Sequence, residues 1–286
     1  MAKQSPDRDD VASDDQRLKE LTEAEEQELF RKATPVPTPE LTDEEFKALE
    51  SEDTEDSELE SKGESNLAEL LGTPTEADIS VSPYKYGGRL FFTGADGKSY
   101  SGSAEFVGEY NIILTAAHCV RDHVSGDFFT NFRFYRGYKN ESYEKRFSLN
   151  AWGTKAGWVN GTAARYRYDY AFLRTTVNSD TGHLGYKTLQ SETSWTEFGY
   201  PSNYGNSQLM QKVDGTRGSV TGGTVEMLGN PMRKGNSGGA WFIVASSSNR
   251  QAMGNQSFNK SGNTTDAWGP VFTNSTFSLL RAVRDH

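Results

Sequence analysis

Cysteine is almost absent from this 286-residue chain, which contains only Cys119. A single cysteine excludes an intrachain disulfide and fits a reducing compartment. Long apolar runs are absent too: none approaches the roughly 18–20 residues needed to span a bilayer. The start, MAKQSPDRDD, lacks the apolar stretch of a secretory signal. These absences predict a protein without a membrane span and, from the residues as given, a cytoplasmic location.

The first 80 residues have few aromatic and few basic side chains. Phe30 and Phe46 are their only aromatics, and 25 acidic residues stand against 8 basic ones, a formal charge of −17. The remaining residues hold 15 acidic and 22 basic side chains, or +7. So little apolar surface does not offset the cost of ordering a backbone. We therefore predict that residues 1–80 form a largely disordered acidic segment and that residues 81–286 form the folded domain.

Within the acidic segment, two similar phrases indicate helices. ELTEAEEQEL and ELTDEEFKAL each contain a capping box, at residues 22–25 and 42–45. PVPTP at 35–39 interrupts any continuous helix between them. We expect two short helices, and a third at 65–71, on an otherwise solvated tail.

From about Tyr84 onward the pattern changes to short β-branched and aromatic runs separated by Gly, Asn and Asp. About ten such runs at close spacing predict an all-β barrel or sandwich. They read GRLFFTG, YSGSAEFVG, NIILTAA, NFRFYRG, DYAFLRTT, SWTEFGYP, GTRGSVTGG, GAWFIVASS, QAMGNQSF and GPVFT. The tail FSLLRAVRDH predicts a closing helix, because Phe277, Leu280 and Val283 are spaced three apart.

Three residues in separate motifs carry the chemistry. His118 follows an apolar run in TAAHC, and Ser237 lies in GNSGG, where flanking glycines allow a tight turn with an exposed hydroxyl. A histidine base needs a carboxylate that orients its ring. Asp169, at the edge of the apolar run DYAFL, is the best candidate, because the other acids of this region lie in polar stretches.

TAAHC, DYAFL and GNSGG, in that order, resemble the chymotrypsin-like (trypsin-fold) serine endopeptidases. PYKYGGRLFFT, FGYPSN and GPVFTNSTFSLLRAV resemble their bacterial and fungal glutamyl-endopeptidase-like, or V8-like, branch. The resemblance covers about residues 83–283. It implies two packed six-stranded antiparallel β-barrels with a C-terminal helix, and a secreted protein, in contrast to the location that the residues alone suggest.

The resemblance also implies roles for individual residues. His118 is expected to act as general base and acid, Asp169 to orient it and Ser237 to be the nucleophile. Backbone N–H groups of Gly235 and Ser237 are expected to form the oxyanion hole. Relatives are often activated by N-terminal trimming, so the acidic segment is expected to be a pro- or regulatory segment docked on the basic domain, cut within 73–84.

In many relatives the cysteine after the catalytic histidine forms a disulfide with the preceding strand. Here Gly102 or Ser103 stands at the partner position. Cys119 is therefore expected to be a buried small hydrophobic side chain rather than a reactive thiol.

The sequence indicates the substrate preference less strongly than it indicates the triad. Pro231 stands where a trypsin has an acid, so cleavage after Lys or Arg is not expected. Met232, Arg233 and Gln256 are the candidate substrate-binding residues; Gln256 lies near the position where glutamyl-specific relatives carry a histidine. A polar or acidic preference follows as a hypothesis, although Arg233 equally suits a solvent-facing loop.

Two other classes of function remain open. The protease fold could serve as a non-catalytic binding module that recruits a partner through its acidic arm, although all three triad candidates are present. The charge of +7 permits a nucleic-acid binder, but the basic residues are scattered and no groove-reading motif occurs. His123, His183 and His286 show no metal-ligand spacing, so we expect no metal and no cofactor. The expected partners are protein or peptide substrates, without nucleic acid or membrane.

Overall fold

The computed structural model describes residues 5–14, 19–51, 72–159, 161–188, 192–246 and 249–286. Three α-helices lie in these ranges: α1 (Glu23–Lys32), α2 (Asp43–Ser51) and α3 (Asn274–Asp285). The strands are β1 (Asp9–Ser13), β2 (Thr34–Pro35), β3 (Glu40–Leu41), β4 (Thr75–Glu76), β5 (Gly87–Thr93), β6 (Ser99–Phe106), β7 (Ile112–Thr115), β8 (Thr130–Arg136), β9 (Lys145–Lys155), β10 (Ala171–Thr175), β11 (Gly185–Tyr186), β12 (Ser194–Gly199), β13 (Gln211–Thr221), β14 (Thr224–Leu228), β15 (Ala240–Ser246), β16 (Asn249–Asn255), β17 (Asn259–Lys260) and β18 (Ala267–Pro270).

The first half of the folded domain is a closed barrel of six antiparallel strands. Its order is β5, β6, β7, β10, β9 and β8, and pairing of β8 with β9 and with β5 closes the ring. Alternate side chains point inward, so Leu90, Phe106, Phe134 and Phe147 meet in one buried cluster. Closure leaves few free strand edges, and β1 covers part of one by pairing with β9.

The second half is another antiparallel sheet, in which β12–β16 and β18 lie side by side. A bridge between Phe258 and Trp268 joins the segment after β16 to β18. Helix α3 packs on the first barrel, where a side chain at Gly153 would meet Val283 and Leu279 within 3.2 Å. The predicted all-β class with a C-terminal helix is confirmed.

All ten predicted runs contribute to strands, but two of the longer strands, β9 and β14, were not predicted. The sequence of β9, KRFSLNAWGTK, alternates as far as Ala151, with Phe147, Leu149 and Ala151 buried. Beyond that point every residue is buried, because α3 packs on the outer face of β9 at Gly153 and Lys155, and β1 pairs along its edge. Alternation therefore ends halfway along the strand, which weakens the periodic signal.

The N-terminal segment differs from the expectation of disorder in residues 5–14 and 19–51. The two predicted helices are present as α1 and α2, each with its reciprocal capping box at Thr22–Glu25 and Thr42–Glu45. Both are ordered because the folded domain supplies the apolar surface that the segment lacks, and each inserts aromatic or aliphatic side chains into a domain cluster. The third predicted helix, at 65–71, lies outside the described residues.

Ion pairs also join the segment to the domain. Acidic side chains of residues 1–80 meet basic side chains of the domain at distances of 2.6–3.1 Å. These pairs are Asp9–Lys155, Asp10–Arg121, Glu26–Arg146, Asp43–Lys260 and Glu76–Lys139. Across the described ranges, no helix has the length and apolar character required to cross a membrane.

Candidate active site

Ser237 lies in a tight turn immediately before β15. Gly235 and Gly238 have φ values of +86° and +89°, which favour glycine. A Cβ atom on Gly238 would lie 2.2 Å from the Thr115 hydroxyl oxygen. Ser103 holds the turn from the other barrel: its hydroxyl donates to the Gly235 carbonyl at 2.9 Å and its N–H to the Ser237 carbonyl at 2.9 Å. The turn is therefore pressed against the end of β7.

His118 lies on a short 3-10 turn, Ala117–Cys119, directly after β7. Asp169 contacts it twice: the ring Nδ1 is 2.7 Å from Oδ2, and the backbone N–H donates to Oδ1 at 2.9 Å. Because both carboxylate oxygens are used, the ring is held in one orientation with Nε2 directed away from the acid. Two of the three residues singled out by the sequence are thus in direct contact across a separation of 51 residues.

Asp169 is itself held by two polar residues that sequence reasoning missed. Ser257 donates its hydroxyl to Oδ2, and the Asn255 side chain donates to the Asp169 carbonyl at 3.1 Å. Both lie in QAMGNQSF, for which the sequence predicts a strand and the substrate-binding candidate Gln256 but no contact with Asp169. Nothing local in that string identifies them, because their contact with Asp169 spans more than 80 residues of chain.

Burial and pairing act in opposite directions on this histidine and its acid. Burial alone raises the pKa of Asp169, but the His118 charge and the hydrogen bonds from His118 and Ser257 outweigh it and lower that pKa. Burial likewise lowers the pKa of His118, and the neighbouring Asp169 carboxylate, with a contribution from Cys119, raises it above its ordinary value of 6.5. The pair therefore favours an ionised acid beside a histidine that readily takes up a proton.

Ser237 and His118 each have a buried polar side-chain atom without a hydrogen-bond partner among the described residues. Ser237 is 0% exposed, and the side chain of His118 is 9% exposed. Neither Ser237 Oγ nor His118 Nε2 has a hydrogen-bond partner in the part of the chain that the structure describes. The two atoms are therefore not hydrogen-bonded to each other, but their turns are neighbours: the sulfur of Cys119 lies 4.0 Å from the Ser237 carbonyl oxygen. Buried polar atoms are nearly always paired, so two unpaired ones on neighbouring turns indicate a candidate site.

Cys119 is a free thiol in the core of the first barrel. A Cβ atom built on Gly102 would lie 3.0 Å from its sulfur. Of the two candidate positions for the missing disulfide partner, the structure thus places Gly102 opposite the thiol. The expectation of a buried hydrophobic residue is confirmed.

The three candidate substrate-binding residues have different surroundings. The side chain of Met232 is buried in the core of the second sheet, among Trp195 and Trp241. Gln256 is also buried, donating to the Met232 carbonyl at 2.8 Å and accepting from Asn236 at 2.5 Å. Only Arg233 retains solvent contact, and its guanidinium donates to the backbone carbonyls of Met232 and Asn263.

Two buried glutamates lie beneath the Ser237 turn and were not singled out from the sequence. Glu197 accepts hydrogen bonds from the side chains of Asn230 and Asn236, the latter directly preceding Ser237. Glu105 accepts from the backbone N–H of Ala240 at 3.2 Å. Burial raises the pKa of both carboxyls well above 4.5, and the proximity of Glu197 raises that of Glu105 further.

The closed six-stranded barrel, the second sheet and the C-terminal helix, with the His–Asp pair and the glycine-flanked serine at the junction, define the chymotrypsin-like fold. Solved bacterial serine proteases share it. Protease Anisep from Arthrobacter nicotinovorans matches with a TM-score of 0.65 at 24% identity, over 75% of this chain and 100% of that one. The thermostable serine protease AL20 from an extremophilic microorganism matches at 0.62 and 23%, over 70% and 98%.

A Glu endopeptidase solved in complex with MPD also matches, with a TM-score of 0.62 at 20% identity, over 74% of this chain and 97% of that one. No protein-family model and no curated protein matches the sequence. The chymotrypsin-like fold expected from the resemblance is thereby confirmed.

Proposed function

We propose that this protein is a serine endopeptidase that hydrolyses peptide bonds through His118, Asp169 and Ser237. The observation that carries the proposal is the His118–Asp169 pair, joined by two hydrogen bonds, together with Ser237, whose hydroxyl has no hydrogen-bond partner among the described residues and whose carbonyl oxygen lies 4.0 Å from the sulfur of Cys119. We further propose that it is made as a zymogen restrained by its acidic N-terminal segment.

In the proposed reaction, Ser237 Oγ bonds to the carbonyl carbon while His118 Nε2 takes the hydroxyl proton. Asp169 stabilises the resulting imidazolium, and the N–H groups of Gly235 and Ser237 stabilise the oxyanion. As the tetrahedral intermediate breaks down, His118 returns the proton to the leaving amine, which leaves an acyl-enzyme. Water then attacks the ester with His118 as base, and the acid product departs.

A polar or acidic side chain before the cleaved bond is the preference that this proposal adopts. Arg233 supports it, because its guanidinium is held by the carbonyls of Asn230, Met232 and Asn263 at 2.9–3.1 Å. The likeness to a Glu endopeptidase is a second support. Cleavage profiling on a peptide library tests this preference; uniform cleavage after Lys and Arg would refute it.

Casein cleavage and intact mass, measured for the wild type beside Ser237→Ala, test the nucleophile and self-processing. We expect casein cleavage and a shortened chain only with the wild type, and the mass then gives the cut site. If an activated wild type leaves casein and all other substrates intact while the fold is retained, the alternative of a non-catalytic binding module replaces this proposal.

A further inference from the structure

The stretch between the two N-terminal helices crosses the candidate active site. We name residues 33–41 the strap. At its beginning, β2 pairs in parallel with Tyr100–Ser101 of β6, and the Val36 N–H donates to the Ser101 carbonyl at 2.8 Å. At its end, β3 pairs in parallel with β17. The strap thus adds to one strand edge in each half of the domain.

Between these two pairings, the strap contacts the turn that carries Ser237. The Val36 carbonyl accepts a hydrogen bond from the Gly235 N–H at 3.0 Å. A Cβ atom on Gly235 would lie 3.1 Å from Cβ of Pro35, so the strap backbone lies directly against the glycine. Val36 is buried in the cluster that contains Ala116 and Cys119, on either side of His118 in sequence. The strap therefore lies against the turn that carries Ser237 and packs into the cluster that flanks His118 in sequence.

We propose that the strap is an intramolecular inhibitor that fills the oxyanion hole with the Val36 carbonyl. This inference rests on the proposed function, because the Gly235 N–H is one of the two donors that the reaction needs. A carbonyl that already holds this donor prevents it from stabilising a substrate oxyanion. The strands that the strap occupies are also unavailable for pairing with a substrate backbone.

The composition of the strap explains how it can stay in the site without being cut. Val36 has a proline on each side, Pro35 and Pro37, and Pro39 follows. The peptide group in the oxyanion hole is the Val36–Pro37 bond, and the Pro37 ring crowds the nitrogen to which His118 would have to deliver a proton for the bond to break. Three fixed φ angles also lower the entropy lost when the strap docks.

Side chains on α1 anchor the strap at its beginning. Phe30 is inserted among Phe91, Tyr135, Tyr138 and Tyr143, with ring centroids 4.9–6.0 Å away. One turn earlier, the buried Glu26 receives hydrogen bonds from Arg146 at 2.6 Å and from Tyr143 at 2.8 Å.

Helix α2 anchors its end. Phe46 and Leu49 are buried with Phe258 and Trp268, and the Phe46 ring meets Trp268 edge-on at 5.8 Å. Because both anchors are non-covalent and largely apolar, cutting the chain after α2 does not by itself remove the strap. Activation therefore requires the cut segment to dissociate as well.

Full-length variants test the strap without removing any part of the chain. The double substitution Phe46→Ala/Leu49→Ala weakens the second anchor. Its matched control is Lys47→Ala/Glu50→Ala, which truncates two exposed residues of the same helix and leaves the net charge unchanged. A fluorophosphonate probe reports access to Ser237, and intact mass gives the rate of labelling.

We expect the wild type and the control to be labelled slowly and the anchor variant at least about tenfold faster. Ser237→Ala in the anchor background should not be labelled, which assigns the modified residue. Rapid labelling of the wild type, at the rate of the anchor variant, overturns the strap inference and leaves the proposed function intact.

Hydrogen exchange in the Ser237→Ala background tests the strap independently of catalysis. Three domain N–H groups donate to the strap: Gly235 to Val36, Asn259 to Pro39 and Ser261 to Leu41, at 2.8–3.0 Å. We expect them to be protected, and to exchange at least about tenfold faster in the anchor variant. Unprotected amides overturn the strap. Faster exchange without labelling of any variant overturns the proposed function, and with it the inhibition.

Discussion

The folded domain and the acidic segment that lies on it are ordered in different ways. The first barrel closes through its own strand pairings and buries its own core. The segment has no such core: β1, β2 and β3 each pair with a domain strand, and its large buried side chains lie in domain clusters. An acidic, aromatic-poor composition therefore does not exclude order where a neighbouring surface supplies the apolar contacts.

The largest effect is expected from a change inside the domain, measured in the anchor variant so that the segment does not limit access to the site. In the Phe46→Ala/Leu49→Ala background, Asp169→Asn should lower casein cleavage by about 10⁴-fold, because an amide cannot stabilise the imidazolium and favours the wrong tautomer. Ser257→Ala, which removes only one hydrogen bond to that acid, is the control and should cost less. A loss below tenfold for Asp169→Asn would remove Asp169 from the proposed triad.

A second pair of variants compares equally buried phenylalanines on the two sides. Phe106 in the barrel is 0% exposed and Phe30 in the segment is 1% exposed. Phe106→Ala should lower the free energy of unfolding by about 3–5 kcal/mol. Phe30→Ala can cost no more than the free energy that docks the segment on the domain, because the domain stays folded after the segment has undocked. We therefore expect the free energy of unfolding to fall by only about 1–2 kcal/mol.

Urea unfolding followed by tryptophan fluorescence measures this comparison, since all five tryptophans lie in residues 81–286. Equal losses for the two substitutions would show that segment and domain unfold as one unit, contrary to the difference described above.

The third prediction concerns Glu197, whose carboxyl group is buried in the interior of the domain. Because burial raises the pKa of Glu197 well above 4.5, the folded protein keeps its proton while the unfolded chain loses it. This contribution to stability is full below the unfolded pKa of about 4.5 and is lost as pH rises towards the folded pKa. Glu197→Gln, which does not titrate, should gain a few degrees in melting temperature relative to the wild type between about pH 5 and pH 7.

Calorimetry of the two proteins at a series of pH values gives the difference. Glu192→Gln, outside this buried network, controls for the loss of a charge. A difference between Glu197→Gln and the wild type that stays constant with pH would mean that Glu197 is ionised in the folded state.

The smallest effect should come from salt. The ion pairs between segment and domain are mostly partly exposed, and such pairs contribute at most about 1 kcal/mol each and are screened by salt. Raising the ionic strength should therefore speed labelling of Ser237 only a few-fold. In the anchor variant, labelling should depend little on salt. An acceleration as large as that caused by Phe46→Ala/Leu49→Ala would make charge, rather than apolar contact, the main anchor.

The elements that the sequence predicts well are those whose signal is local. Ten short runs contribute to strands, because β-branched and aromatic residues between turn residues carry their own boundaries. Capping boxes located α1 and α2 in the same way. β9 was not predicted because half of it is buried on both faces, a condition imposed by α3, which packs on its outer face from the far end of the chain.

The residues of the candidate site likewise divide into those with a local sequence signal and those without one. His118, Asp169 and Ser237 were found because each lies in a short motif with its own chemistry. Ser257, Asn255 and Glu197 carry no such local sign, since each acts on a residue far away in the chain. Met232 and Gln256 were predicted as substrate-binding residues from their spacing along the chain relative to Ser237. Their side chains are instead buried in the second half of the domain.

By itself, the sequence determined the all-β class, the two N-terminal helices and the three residues of the candidate triad, because periodicity, capping and short motifs are local properties. Only the tertiary structure decided where the acidic segment lies. Its docking depends on the aromatic cluster around Phe30, on strand edges and on backbone N–H groups such as that of Gly235, all of which the domain brings together only when it folds. A composition measured over 80 residues cannot register a surface provided by the other 206.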